Sequence, residues 1–171
     1  MISAIVCVDN NWGIGYNGNL LAHIPEDMRF FRDKTQNSIV IMGRKTYDSL
    51  PSKPLPYRTN IVITSKVKER CEIDNNGTIF VSMDFIKIFL KTLSPEAPVD
   101  FYIIGGGKIY EELLPYCDKT YVTKVNYDYE NVDTYFPNID KDKKWEVEES
   151  SEIKIHNGIK YTFYTYKNRG E

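Results

Sequence analysis

"DFYIIGGGKIYEELLP", Asp100 to Pro115, runs from an apolar strand-like segment through three consecutive glycines into a helix-like one. Triple glycine lets the backbone approach a ligand closely or adopt torsions closed to other residues, and the helix that follows offers free N–H groups to a phosphate. An anion site at the carboxyl end of a parallel strand is one reading; close strand–helix packing is the other, and the stretch alone leaves both open. It is not a P-loop, because Lys108 follows the glycines without the G-x-x-x-x-G-K-[ST] spacing.

The same alternation extends outward in both directions. Strand-like runs recur at "ISAIVCV", "SIVIM", "NIVITS", "TIFVS", "DFYIIG", "KTYVTKV", "WEVEES" and "KYTFYTYK", rich in Val, Ile, Tyr and Phe. Several are apolar on both faces, as strands covered by helices are. Between them lie the helical segments "PEDMRFFRDKT", "GRKTYDSL", "SMDFIKIFLKTL" and "KIYEELLP", the first starting at Pro25 because proline suits the first helical position. The pattern predicts a three-layer α/β sandwich, with a mixed, mostly parallel eight-stranded sheet flanked by helices. Asn157-Gly158 is a hairpin signal, so the C-terminal strand is expected to be antiparallel.

"GIGYNG", Gly13 to Gly18, has the G-x-G-x-x-G spacing after the first strand. In a dinucleotide fingerprint those glycines open directly into a helix, and an acidic residue follows the second strand. Here "DNNW" intervenes, the helix waits until Pro25, and the second strand ends in the basic "GRKT". The motif is therefore a decoy: either a mobile surface loop or a loop that closes over a site.

Composition narrows the function classes. At 171 residues and 42% hydrophobic the chain suits one domain, residues 1–171. A net charge of −2 argues against nucleic acid as a partner, despite local basic clusters at "GRKT" and "SKVKER". Three scattered cysteines give neither a disulfide frame nor a zinc site and fit a cytoplasmic location, while two histidines far apart disfavour metal sites and Ser-His-Asp triads. No apolar run approaches the ~20 residues of a membrane span.

Two further strand ends resemble the glycine-rich one. "IMGRKT" leaves its strand through Gly43 into Arg44, Lys45 and Thr46, and "NIVITSK" ends in Thr64, Ser65 and Lys66. Guanidinium forks and hydroxyls suit phosphate, so three such ends point jointly to one extended phosphorylated ligand, although each alone also reads as a solvated charge cluster. Asp27 shares a helix face with Phe31, with Ile24 and Met28 beside it. It reads either as a carboxylate among apolar groups, suited to the amidine-like edge of a heterocycle, or as first-turn helix electrostatics.

In this order and spacing, "MISAIVCVDNNWGIGYNGNL", "IPEDMRFF", "IVIMGRKTYDSLPSKPLPYRTNIVITS", "YIIGGGKIYEELLP", "YVTKV" and "DTYFP" resemble the dihydrofolate reductases over essentially the whole chain. The resemblance implies a monomer that reduces dihydrofolate with NADPH. Asp27 would pair with the pterin and be its catalytic carboxylate, with Thr123 supporting it through a hydroxyl. Ile5, Val6, Cys7, Met28, Phe31, Leu50, Leu55, Ile104 and Tyr110 would line the substrate cleft, and Arg58 would take the glutamate carboxylate. The cofactor would run along Cys7, Ile14, Gly15 and Leu20. Beyond these lie Gly43, Arg44, Lys45 and Thr46, then Thr64, Ser65 and Lys66, the basic cluster reading the 2′-phosphate. Ile104, Gly106, Gly107, Lys108 and Ile109 complete that side, with a cis Gly105-Gly106 peptide. The glycine loop would be a lid. Many relatives have Pro-Trp where this chain has Leu21-Ala22; His23 next to it is either a partial replacement for the tryptophan's hydrogen bond or a surface residue. A pyrimidine reductase of the same fold and an inactive nucleotide-binding domain are the competing readings; Asp27, Phe31 and Arg58 argue against the first.

Overall fold

The computed structural model describes residues 1–67 and 71–170. Of the basic run at 65–70, Lys68 and Arg70 therefore lie outside the described residues. In chain order the strands and helices are β1 (Ile2–Val8), β2 (Gly13–Tyr16), β3 (Asn19–Leu20), α1 (Pro25–Thr35), β4 (Ile39–Gly43), α2 (Arg44–Ser49) and β5 (Thr59–Ile63). There follow β6 (Glu72–Ile73), β7 (Ile79–Val81), α3 (Met83–Thr92), β8 (Phe101–Gly105), α4 (Gly107–Leu113) and β9 (Lys119–Val125). The chain ends with β10 (Thr134–Tyr135), β11 (Trp145–Ser150), β12 (Lys154–His156) and β13 (Ile159–Asn168).

Local chemistry sets the helix ends. α1 begins at Pro25, with Glu26 and Asp27 in its first turn and Arg32 and Lys34 in its last, complementing the backbone dipole at both ends. Ser82 caps α3, its hydroxyl accepting the Phe85 N–H at 3.1 Å, and Ile86 and Leu90, one turn apart, bury the same face.

The main sheet runs β11-β13-β9-β1-β8-β4-β5-β7-β6, with β12 paired to β13. β9, β1, β8, β4, β5 and β7 pair in parallel through its centre. β13 is antiparallel to its neighbours, as the Asn-Gly turn requires: Asn157 at φ 49° and Gly158 at φ 77° supply the two left-handed positions of a tight hairpin. Strand alternation sends side chains to two covered faces. On one, Ile5, Val40, Met42, Val62 and Tyr102 pack against Phe30 and Phe31 of α1 and Tyr47 of α2. On the other, Ala4, Ile41 and Ile103 pack against Ile86 and Leu90 of α3 and Leu113 of α4. This is the expected three-layer sandwich. Among the described residues the sheet has ten strands rather than eight, because β6 and β12, of two and three residues, attach to its edges. Segments so short and polar present no alternation to read.

"GIGY" forms β2, the middle strand of a second sheet, β10-β2-β3. Its stem is clasped by the buried Asp9 carboxylate. Oδ1 accepts the N–H groups of Asn11 at 2.9 Å and Gly13 at 2.8 Å, while Oδ2 accepts that of Tyr129 at 3.3 Å. A methyl added at Gly13 would come within 2.8 Å of Val132 Cγ1 and 3.0 Å of Asp9 Oδ1. Gly13→Ala should therefore cost about 1–3 kcal/mol by overpacking. Urea unfolding measures the cost, and amide exchange should quicken at residue 13; unchanged stability and protection would contradict the clasp.

Candidate active site

The carboxyl ends of β4, β5 and β8 stand side by side. Met42 pairs with Gly105 and Gly43 with Ile63, so the three loops leaving these strands emerge together. Packing explains most of the glycines. A methyl at Gly43 would meet Ile109 Cγ1 at 2.9 Å, one at Gly105 would meet the Tyr110 ring at 3.2 Å, and one at Gly107 would meet Thr134 Cγ2 at 2.7 Å and the Tyr135 carbonyl at 3.3 Å. Gly106 is less crowded, with Thr46 Oγ1 at 3.4 Å. The Gly105-Gly106 peptide is cis. Close packing thus accounts for Gly105 and Gly107, and Gly106 is the position where backbone lies open to an approaching ligand.

Beside this edge the cationic and hydroxyl side chains gather. Arg44, Lys45 and Thr46 open α2, and Thr64, Ser65 and Lys66 follow β5 on the adjacent strand. Arg44 is partly organised already: its guanidinium lies 5.3 Å from the Phe80 ring centroid and its Nε bonds Asp48 at 3.2 Å. Thr64 is buried and its hydroxyl accepts the Lys66 N–H at 3.3 Å, while Arg44, Lys45 and Lys66 are exposed. A row of cationic and N–H donors on an open strand edge fits a phosphate-bearing cofactor.

Asp27 lies where α1 crosses β1 and β9. The Thr123 hydroxyl donates to its Oδ1 at 2.6 Å, and Cys7, which pairs with Thr123 across the sheet, is its other neighbour. Burial pushes the Asp27 carboxyl above the usual carboxylate range, against the opposing pull of the Thr123 and Cys7 hydrogen bonds. The same burial, and the Asp27 charge, push the Cys7 thiol well up. Glu26, one residue earlier, faces elsewhere: it accepts from the Tyr161 hydroxyl and pairs with Lys154 at 3.0 Å, which hold its carboxyl low. The two acids of the first turn are separated in role. Glu26 is a peripheral ion-pair partner, and Asp27 is the acid turned inward to Thr123 and Cys7.

The other expected residues divide. Ile5, Phe31, Leu50, Leu55 and Ile104 belong to one apolar cluster beneath α1. Val6 does not join it, because strand alternation turns its side chain into the opposite core face with Ile14. Met28 is 58% exposed and Leu20, at the end of β3, 63% exposed. Tyr110 is buried and donates its hydroxyl to the Ile5 carbonyl at 2.7 Å, so it braces β1 against α4. Ile109 is buried beneath Gly43, Gly15 pairs with Leu20 in the small sheet, and Lys108 is exposed. Arg58 is drawn toward the far end of α1, donating from Nη1 to Thr35 Oγ1 at 3.0 Å and from Nε to the Pro56 carbonyl at 2.9 Å. Asp27 and Thr35 are eight residues apart, about 12 Å along the helix. Ala22 packs with Cys7, Ile24, Tyr161 and Phe163, and His23 is exposed, which favours the surface reading for that histidine. Sequence reasoning missed Asp9 and Tyr161. Asp9 had a local signal, an Asx-type turn onto Asn11; Tyr161 had none.

A covered parallel sheet with phosphate-suited strand ends beside a half-buried acid defines a nucleotide-dependent enzyme of the α/β class. Comparison with known proteins makes the class specific. The family model for dihydrofolate reductase matches residues 1–168. A dihydrofolate reductase from Buchnera aphidicola is 40% identical over 136 residues, 80% of this chain and 78% of that protein, and one from Bacillus subtilis is 36% identical over 152, 89% and 84%. A solved dihydrofolate reductase from Enterococcus faecalis, complexed with NADP(H) and RAB-propyl, superposes with a TM-score of 0.81 at 30% identity, covering 99% of this chain and 97% of that one. The chain belongs to the dihydrofolate reductase family, and its class is NADPH-dependent oxidoreductase.

A carboxyl whose titration is raised by folding makes the folded state bind a proton more readily than the unfolded one. Asp27 therefore lowers stability as pH rises from the ordinary carboxylate value through its folded value. Asp27→Asn should raise Tm at pH 7, and the gain should shrink through the ordinary carboxylate value and vanish below about pH 3, where the aspartate is neutral in both states. Thermal unfolding across pH checks this; a difference independent of pH would contradict it.

Proposed function

We propose that this chain reduces 7,8-dihydrofolate to 5,6,7,8-tetrahydrofolate, with Asp27 orienting the pterin and Arg58 receiving the glutamate carboxylate. The reading rests on one observation: a half-buried acid braced by Thr123 at one end of α1 and a guanidinium tied to the other end. That spacing suits a ligand with a heterocycle at one end and a carboxylate at the other. The likeness to dihydrofolate reductases supports the substrate, and the NADP(H) in the Enterococcus faecalis structure supports the cofactor.

Bound NADPH supplies the hydride, delivered to C6 of the pterin. The chain's own groups bind, orient and protect. Asp27 takes the pterin amino group and ring nitrogen with its paired oxygens, and its hydrogen bond from Thr123 fixes their direction. Among the acids about this cleft, burial raises Cys7 and Tyr110 strongly, so neither is a ready proton donor, whereas Asp27 is shifted toward neutrality. We assign the N5 proton to an ordered water whose donation Asp27 favours by polarising the pterin. Backbone groups of Cys7 and Ile14 are assigned to the carboxamide of the nicotinamide, and Arg44 with Thr64, Ser65 and Lys66 to the 2′-phosphate. The β2–β3 hairpin, with Leu20 exposed at its end, is assigned the role of a lid that keeps water from the reacting centre. Family membership further suggests a cytoplasmic monomer that serves one-carbon metabolism and thymidylate synthesis, and hence a target for antifolates.

Two substitutions test the assignments. Asp27→Asn should leave the Kd for NADPH within about twofold while dihydrofolate turnover at pH 7 falls by about 100-fold or more. Parent-like turnover would remove Asp27 from the mechanism. Arg44→Ala should weaken NADPH by about 10- to 100-fold, the contribution of a charged hydrogen bond, with little change in NADH. Equal weakening in fluorescence titrations would contradict a 2′-phosphate contact.

A further inference from the structure

Glu26 and Asp27 are consecutive residues in the first turn of α1, yet they meet different strands. Asp27 accepts from Thr123 on β9, and Glu26 accepts from Tyr161 on β13. The strands are neighbours, with Phe163 opposite Thr123 and Tyr161 opposite Val125. Phe30, one turn further along α1, stacks on Phe163 at 4.8 Å, and Tyr161 packs edge-on to Phe163 at 5.7 Å. The helix start is therefore pinned to β9 and β13 at three points. Ile24, at its N-cap, provides no side-chain cap of its own, so these contacts hold the first turn in place. Tyr161 is 3% exposed, and Lys154, on β12, brings its ammonium to Glu26 at 3.0 Å.

We propose that Tyr161 and Lys154 are positioning residues for the reaction: by holding the Glu26 carboxylate against the β12–β13 hairpin, they set where Asp27 stands and offset a second negative charge beside it. The role in turnover rests on the functional reading above; the effect on Asp27 itself does not. Burial raises the Tyr161 hydroxyl to about 12, with Glu26 as the next contribution, so it serves as a donor throughout the working range. The groups facing Asp27 from the elements around it are Thr123 on β9, Cys7 on β1, Tyr110 on α4, and Tyr161 with Lys154 behind Glu26; Arg29 is the further charge on α1. Of these charges, Glu26 and Lys154 form the offsetting pair.

That pairing has a signature that simple bracing lacks. Removing the ammonium exposes Asp27 to an unbalanced carboxylate, and removing the Glu26 charge exposes it to an ammonium whose remaining partner is Glu152, exposed and 3.6 Å away. Even in a water-like dielectric, an unbalanced unit charge a few ångströms away moves a carboxyl's titration by about half a unit. In the full chain without ligand, with Asp27 followed by carbon NMR of its side-chain carboxyl, Lys154→Met should move the titration up by about half a unit. Glu26→Gln should move it down by a smaller amount, because Glu152 still partly balances Lys154, and the double variant should return close to the parent. In the kinetics, Tyr161→Phe should lower kcat/KM for dihydrofolate severalfold while leaving the Kd for NADPH unchanged. Titrations that superimpose on the parent, or two single variants that shift in the same direction, would overturn the proposal. The NMR result stands whether or not the parent reduces dihydrofolate, so failure of the functional reading is seen separately, as a parent that consumes no NADPH.

Discussion

The parallel pairing of β4 with β8 is the constraint on which the site depends. Because the pairing slips by one residue after Ile41–Ile103, passing over Ile104 and setting Met42 opposite Gly105, both strands stop at the same edge, each in glycine, and the helices that follow start side by side. Ile109 of α4 fits beneath Gly43 only because no side chain stands there. β5 ends at the same level, which sets Thr64 beside the Arg44–Thr46 turn. The donor row is thus a consequence of sheet register, and its chemistry is local while its assembly is not.

The substrate side rests on a different balance. A carboxyl buried beside Cys7 is costly to ionise, and folding tolerates it because Thr123 donates a short hydrogen bond to the charged form. Burial still dominates, so the protein retains an acid that titrates above its ordinary range. The cost is confined to Asp27. Its neighbour Glu26 is drawn by Tyr161 and Lys154 into an ordinary, stabilised ion pair. One helical turn therefore holds a strained acid and a satisfied one, and the difference comes from β9, β12 and β13, nearly a hundred or more positions further along the chain.

Much of the fold was legible because the long strands announce themselves. "ISAIVCV" and "KTYVTKV" coincide with β1 and β9, where β-branched and aromatic residues are dense, and "WEVEES", with its alternating Trp145 and Val147, coincides with β11. α1 starts at Pro25 as its sequence demands. β6, β10 and β12 were not legible, since two or three polar residues have no period to display, and β2 was hidden by glycines that read equally well as loop. Val6 and Ile5 are consecutive on β1, and the strand's alternation sends their side chains to opposite faces. Which of Glu26 and Asp27 turns inward was not decidable locally, because both suit a first turn and the deciding partners, Thr123 and Tyr161, are remote in sequence. The resemblance to a known family chose Asp27, and the contacts of the fold give the physical reason.

On the proposed function, the donor row and the braced acid act together on one pair of ligands. Following the absorbance of NADPH after mixing purified protein with dihydrofolate, beside reactions lacking dihydrofolate or containing NADH in its place, tests this most directly. Rapid loss that depends on dihydrofolate and is much faster with NADPH than with NADH is the expected result. NADPH that binds but is not consumed when dihydrofolate is present would contradict it.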